Sequence, residues 1–346
     1  MSESTIVSLV SAEVDVCAAV AAAMEAAGWR AAIPRGAPVA IKPNLGWDLF
    51  LPGAVTSPRV VEGVIRTLRG WAGELYLVEA DQVLVGCERA LRQTRMDRLC
   101  ERYGVTWVNL SRAPFVRLAV PEPRALDHLD VPELLTRAQL VTVPVMKTHN
   151  KTVMTGAIKN QWGCLPTFRH NYHPIVHDVL RDLARVLRPA FCVMDATVAL
   201  EGDAPKSGRP RICDLVLASR DPVALDTIAS MVMGLDDRPI PYLDLCARDG
   251  VGVRDRARIH VVDETGTTRA TLPRLAFATA RSNLISRVEE RLRSSPLRQL
   301  AFSRAPLAFF CQGARFWYWL WYHLGRGHRL RDQVLATYAH ADQWRA

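Results

Sequence analysis

Lysine is scarce in a basic protein. Of the 44 Lys and Arg residues in this 346-residue chain only five are lysine: Lys42, Lys147, Lys151, Lys159 and Lys206. The net charge of +9 therefore rests on arginine, a planar cation that stays charged, while the ammonium is reserved for a few positions. Other absences narrow the field. The eight cysteines form no CxxC pair and no zinc-ligand spacing, which excludes a sequence-encoded zinc finger or iron–sulfur cluster. They sit in apolar contexts such as FCVMD and RICDLV, where buried free thiols are expected. No GxGxxG, HExxH or nucleophile elbow occurs. The segment from Glu201 to Gly208 is not a Walker loop, because Lys206 and Ser207 precede its second glycine. No block of like charges forms a nucleic-acid arm, so no nucleic-acid partner is expected. The N-terminus lacks a basic segment followed by an apolar core, so no signal peptide is expected and a reducing cytoplasm fits.

What is present concentrates in Val141–Pro166. The stretch begins as a β-branched apolar run, the pattern of a buried strand. It then releases Lys147, His149, Asn150, Lys151, Thr155, Lys159, Asn160 and Gln161 in close succession. Three of the five lysines fall within thirteen residues, and Asn150, Asn160 and Asn171 are three of only six asparagines. A lysine can lose its charge when desolvated, so such a cluster suits anion binding or proton transfer.

The rest of the first 265 residues alternates strand and helix. Strands are expected at Ser4–Val10, Pro38–Ile41, Leu75–Glu79, Val105–Leu110, Ala190–Met194, Leu215–Ala218 and Ile259–Val262. Asp15 and Ser57–Pro58 read as helix starts, and residues 84–103 read as helical. This rhythm predicts an α/β fold with a doubly wound, mostly parallel sheet flanked by helices. In such sheets ligands bind beyond the carboxyl ends of the strands, where Lys42, Glu79, Asp81, Lys147 and His149 are expected to fall. The Lys42–Gly46 turn adds Asn44, and the helix opening at Pro58 could aim free N–H groups at an anion.

His170, His173 and His177 lie within eight residues, with Pro174 expected to open a helix. With Asp195 and Glu201 they form the candidate set for a divalent metal, although no fixed ligand spacing supports one. From about residue 266 the pattern changes to a helical C-terminal extension. Residues 306–324 contain Phe309, Phe310, Phe316, Trp317, Tyr318, Trp319, Trp321 and Tyr322, interrupted by Gln312 and Arg315. That segment is too interrupted to span a membrane but must be covered by something: its own domain, a homodimer partner or a membrane surface.

Several motifs occur in the order seen in one family. IKPNLG with TSPRVV, the Lys-x-His run followed by TGAIKNQWGCLP, MDATVALEGDAPKSGRP, and SRDPVALDTIASMVMG resemble domain of unknown function family 362 over roughly residues 38–263. Many relatives are labelled iron–sulfur proteins through an added ferredoxin-like module whose cysteines this chain lacks, so that cofactor is not carried over. The family is also distantly similar to the α/β domain of nickel-pincer lactate racemases. The resemblance implies the fold and the site but no reaction.

The expectation is an enzyme acting on a small carboxylated or phosphorylated molecule. Lys147, His149, Lys159 and His173 are the catalytic candidates, with His149 as general acid/base. Lys42, Asn44, Thr155, Asn160, Gln161 and Lys206 are the substrate-binding candidates, while Asp195 or Glu201 would orient a base or hold a metal. Isomerisation, elimination and redox chemistry beside a carbonyl all stay open, as does a lysine Schiff base. The alternative is a non-catalytic anion- or lipid-binding protein held at a membrane by its aromatic tail.

Overall fold

A computed structural model describes residues 4–82, 85–280, 291, 295 and 304–345. Expectations resting on most of residues 281–303, and on the side chains of His170, Phe309 and Cys311, lie outside the described residues. The strands are β1 (Thr5–Ser11), β2 (Val39–Pro43), β3 (Leu75–Glu79), β4 (Thr106–Asn109), β5 (Phe115–Ala119) and β6 (His128–Pro132). They continue with β7 (Gln139–Val143), β8 (Val145–His149), β9 (Val153–Thr155), β10 (Phe191–Glu201), β11 (Arg209–Ser219) and β12 (Ile259–Val262). The helices are α1 (Val16–Ala26), α2 (Pro58–Leu68), α3 (Cys87–Gln93), α4 (Met96–Tyr103), α5 (Leu134–Arg137) and α6 (Ala157–Asn160). They end with α7 (Val176–Val186), α8 (Pro222–Met233), α9 (Pro241–Arg248), α10 (Arg304–His323) and α11 (Gly327–Thr337).

The main sheet runs β12-β1-β11-β10-β7-β2-β3-β4, with β8 and β9 attached beside β10. Pairing is parallel from β10 through β7, β2 and β3 to β4, and β11 alone reverses the sense between β1 and β10. β5 and β6 form a separate antiparallel pair, outside the alternation expected for the main sheet. The sheet is covered on both faces. Val39, Ile41, Val141 and Val143 pack with residues of α1 and α2, whereas Ala40, Leu140 and Met194 pack with α7, α8 and α9. Alternate residues of one strand thus feed two cores, as a parallel sheet with helices on both sides requires.

From β2 the chain proceeds outward to β3 and β4, then returns on the other side through β7 to β10. The order reverses between β2 and β7, the switch point at whose carboxyl ends sheets of this kind hold a ligand crevice.

Local chemistry explains most boundaries. Asp15 caps α1 through a bond from the Ala18 N–H, and Asp221 caps α8 by accepting from Val223 and Ala224. The single helix expected over 84–103 is split into α3 and α4 at Arg95, whose φ of 61° is left-handed. Strand β2 extends through Lys42 and Pro43, so the expected turn begins two residues later, at Asn44. α7 begins at Val176, and the preceding residues Thr167–Ile175 wind as 3₁₀ turns rather than forming a helix opened by Pro174.

The C-terminal extension packs on the α/β layers. Tyr318 and Tyr322 of α10 join the core beneath α1 and α2, and the Tyr322 hydroxyl donates to the Phe50 carbonyl at 2.6 Å. The Gln343 side chain accepts from the Arg59 N–H at 3.1 Å and from the Ser57 hydroxyl. α10 buries only part of its aromatic surface: Phe316, Trp317 and Trp319 are 62%, 50% and 45% exposed. Among the described residues no helix is long and apolar enough to cross a membrane.

Candidate functional site

The β2–β7 crevice is built on a buried ion pair. Lys42, the fourth residue of β2, meets Glu79, the last of β3, with Nζ 2.8 Å from Oε1 and both side chains almost fully buried. Glu79 also accepts the N–H groups of Leu45 and Ala80, so its charge is compensated from three directions. Cys164 lies beside this pair, but burial pushes its thiol up to about 12, which removes it as a nucleophile.

Above the pair a chain of amides fixes the next lysine. Lys147 Nζ donates to Asn44 Oδ1 at 2.9 Å and to the Ala54 carbonyl at 2.8 Å. Asn44 Nδ2 donates to Asn160 Oδ1 at 2.9 Å, and Asn160 Nδ2 donates to Thr142 Oγ1 at 2.9 Å and to the Lys42 carbonyl at 3.2 Å. Lys42, Asn44, Lys147 and Asn160, chosen from scattered sequence positions, are thereby one connected network. Burial lowers the Lys147 pKa to about 7, opposed by the Glu79 charge and reinforced by Lys206 and Lys42.

Lys159 and Asn160 project from the short helix α6, which Asp226 of α8 holds from below. Its carboxylate accepts from Ala157 N at 2.6 Å and Ile158 N at 3.1 Å, and burial raises its pKa to about 7. The two glycines of TGAIKNQWG make these approaches feasible. A Cβ at Gly156 would stand 2.1 Å from Asp226 Oδ1, and one at Gly163 would stand 2.7 Å from Glu79 Oε1 and 3.0 Å from Lys42 Nζ. Lys159 is half-buried, with its ammonium 5.1 Å from the Trp162 ring and no hydrogen bond or ion pair among the described residues. Burial, with Arg169, Lys147, Lys42 and Lys151 nearby, lowers its pKa to about 7. Trp162 in turn stacks on His173 at a centroid distance of 5.6 Å, which brings His173 to the edge of the site.

His149 closes β8 and is locked by its own loop. Its Nδ1 accepts from the N–H groups of Lys151 (3.0 Å) and Thr152 (3.3 Å), which places the ring proton on Nε2. Burial and then Lys159 hold its pKa well below the ordinary value, so the ring is neutral. The same loop turns sharply: the Met154 N–H reaches the Thr152 carbonyl at 2.7 Å across Val153, whose φ is 67°. A left-handed β-branched residue stores strain of about 1–3 kcal/mol, a cost typical of functional loops.

Lys206 approaches from the other side, its ammonium 5.0 Å from the Trp47 ring and 5.5 Å from the Tyr318 ring of α10. All five lysines thus bear on this centre: Lys42 and Lys206 act on Lys147, while Lys147, Lys151, Lys159 and Lys206 act on His149. Two further groups await partners. Thr155 Oγ1 and both amide atoms of Gln161 are buried without a hydrogen bond.

Some expectations do not hold in this geometry. Asp195 lies inside β10 rather than beyond its end, and its oxygens accept from Ser57 N (2.7 Å), Thr197 N (3.0 Å) and Thr197 Oγ1 (2.6 Å). Glu201 is bound by Arg209, Arg211 and the Ala278 N–H. Neither faces the histidines as a free ligand; His177 stacks on Tyr242, and among the described residues no three His, Cys, Asp or Glu side chains form a metal cluster. At the N-terminus of α2 the Ser57 and Arg59 N–H groups are already taken, by Asp195 and Gln343. Asp81 spends its oxygens on Cys87 N and Asn109.

Arg169, Trp162 and Trp47 enter the site although no sequence signal assigns them to it, and Tyr318, expected only as part of the aromatic tail, joins them beside Lys206. Arg169 is fully buried, with bonds of 2.8 Å to the Leu165 and Asp81 carbonyls and no partner for Nε. Among 44 basic residues nothing in the sequence marks this arginine. Trp162 was marked only by its place inside the lysine motif.

The chain is 25% identical over 231 residues to the thylakoid-associated protein sll1697 of Synechocystis sp., a match covering 63% of this chain and 69% of that protein. A lactate racemase apoprotein from Thermoanaerobacterium thermosaccharolyticum is similar at a TM-score of 0.39 and 14% identity, over 66% of this chain and 57% of that one. The profile of the family described as "Domain of unknown function (DUF362)" matches residues 39–231, more than half of the chain and all five lysines, and the chain belongs to that family.

Proposed function

We propose that the chain is an enzyme acting on a small anionic substrate, a carboxylate or a phosphate, bound in the β2–β7 crevice. The observation that carries this reading is the convergence of all five lysines on one centre where Glu79, the one acid among the dominant charges, is already matched to Lys42. The positive charge of Lys147, Lys159 and Arg169 has a natural complement in a ligand anion. Arg169 and Lys159 supply charge, and Gln161 and Thr155 supply hydrogen bonds that the protein leaves unused.

Enzymatic rather than merely binding chemistry is favoured by the two lysines whose pKa values lie at about 7. Such an amine is divided between ammonium and free base at neutral pH, the condition for proton transfer. Lys147 as ammonium has a third N–H beyond those given to Asn44 and Ala54, and it can offer that proton to a substrate oxygen. His149 contributes differently from a general acid/base. A neutral ring with Nδ1 engaged and a proton on Nε2 is a hydrogen-bond donor for a developing oxyanion. Isomerisation or elimination beside a carbonyl fits this set.

Calorimetric titration with small carboxylates and phosphates at pH 6 and pH 9 tests the reading. Affinity is expected to fall with rising pH as Lys147 and Lys159 lose their protons, and to be lost in the Lys147→Met/Lys159→Met double variant. Equal binding by the double variant would refute it.

One observation favours a membrane-surface reading for the tail. Phe316, Trp317 and Trp319 stay exposed on α10 while Tyr318 and Tyr322 dock it, and the Synechocystis relative is described as thylakoid-associated. Co-sedimentation with anionic vesicles, compared with the triple serine variant of those three residues, tests it; equal sedimentation of both would end it.

A further inference from the structure

The lysines of the crevice are not equivalent. Lys42 is neutralised by Glu79, and Lys147 is held by two acceptors. Lys159 alone of these three makes no polar contact among the described residues; it lies against the Trp162 ring and stays half-buried, within reach of a ligand. Its backbone, by contrast, is rigidly placed. Asp226 caps the helix that carries it, and the adjacent Asn160 is tied to Asn44, Thr142 and Lys42. A fixed Cα with an unpledged amine at its end is the arrangement of a nucleophile rather than of a structural cation.

We propose that Lys159 forms a Schiff base with the substrate, which therefore carries a carbonyl group near its anionic group. The proposal rests on the anion-binding reading above and adds the carbonyl to it. Desolvation beside other cations keeps part of the amine neutral, as nucleophilic lysines require. The amine nitrogen attacks the carbonyl carbon, forming the C–N bond as the carbonyl π pair moves to oxygen. Lys147 protonates that oxygen and then takes a proton from the nitrogen, which leaves a neutral carbinolamine and a recharged Lys147. Lys147 protonates the hydroxyl, the C–O bond breaks as water leaves, the nitrogen lone pair closes C=N, and the protonated imine returns its proton to Lys147. Carbonyl plus amine gives imine plus water, with no oxidant or reductant required. His149 Nε2–H donates a hydrogen bond to the oxygen while it carries charge, and Lys159 is the charge that acts most strongly on His149. The unpartnered Gln161 amide and Thr155 hydroxyl supply further polar contacts for the substrate.

The test incubates the full chain with cyanoborohydride and, separately, pyruvate, acetoacetate and dihydroxyacetone phosphate, followed by intact-mass measurement and peptide mapping. Binding of each compound and of its alcohol counterpart is followed by calorimetry. The expected result is one adduct on Lys159, absent from a folded Lys159→Arg variant. Its rate should rise about tenfold from pH 6 to pH 8 and then level off, following an amine with a pKa of about 7. An ordinary lysine would instead keep accelerating through pH 9. Binding of both carbonyl and alcohol compounds without any adduct would overturn the Schiff base and leave the anion site standing. An adduct on Lys147 or another lysine would overturn the assignment to Lys159. Failure of the whole panel to bind would remove both.

Discussion

Glu79→Gln is the sharpest single perturbation of the crevice. The change preserves shape and hydrogen-bonding atoms but deletes the counter-charge of Lys42, whose ammonium lies 2.8 Å away and is almost wholly buried. Breaking one half of a buried ion pair costs about 3–5 kcal/mol, because the remaining charge stays desolvated. With an unfolding entropy of ~2.1 cal/mol/K per residue, 346 residues give about 0.7 kcal/mol/K, so Tm should fall by about 4–7 °C. A second consequence is electrostatic. Glu79 is the charge that holds the Lys147 pKa up against burial, so its removal should move the midpoint of anion binding to lower pH. The Lys42→Met/Glu79→Gln double variant should recover most of the lost stability, since removing both charges leaves no desolvated ion. Differential scanning calorimetry and titration over pH 5–9 read both effects. A Glu79→Gln protein with wild-type Tm and an unmoved binding midpoint would refute the argument.

Other consequences follow from the same geometry. Lys147 has a folded pKa of about 7 against ~10.4 unfolded, so between those values the unfolded chain binds more protons and stability rises with pH, by up to ~1.4 kcal/mol per unit. Asp226, raised to about 7 from ~3.9, acts oppositely, with stability falling as pH rises from about 4 to 7. Urea midpoints of wild type minus Lys147→Met, and wild type minus Asp226→Asn, should show these two slopes; flat differences would contradict the burial of either charge. Gly163→Ala should cost about 1–3 kcal/mol, because its Cβ would press on the Lys42–Glu79 pair; equal urea midpoints for variant and wild type would contradict that packing. Gln343→Ala should cost ~1 kcal/mol through loss of the cap on α2, and an unchanged Tm would show that water replaces it.

The parts of the site that the sequence announces are those built by composition and strand ends. Rare lysines inside one motif pointed to Lys147 and Lys159, and strand–loop transitions pointed to Lys42 and Glu79. The parts it conceals depend on contacts between distant segments. Ser57 reads as an ordinary helix cap, yet its N–H goes to Asp195 and its hydroxyl to Gln343, 286 residues away. Asp195 reads as the end of a short strand and Glu201 as a loop residue, because the extension of β10 to eleven residues is set by its long pairing with β11, not by local propensity. The role of His149 is hidden for a similar reason. Which nitrogen carries its proton is decided by backbone N–H groups in a strained turn, and no spacing rule encodes that.

The division of labour between the two basic residues explains the composition. Arg169 shows what arginine does here: fully buried, it pins the Leu165 and Asp81 carbonyls and remains a cation even though burial lowers its pKa. That is a fixed field, suited to attracting an anion and fixing a loop. Lys147 and Lys159 occupy comparable surroundings but answer burial by releasing a proton near neutrality. A centre made wholly of arginine could bind an anion and do nothing further with it. On the proposed reading, confining lysine to five positions around one site would separate charge that must stay from charge that must move.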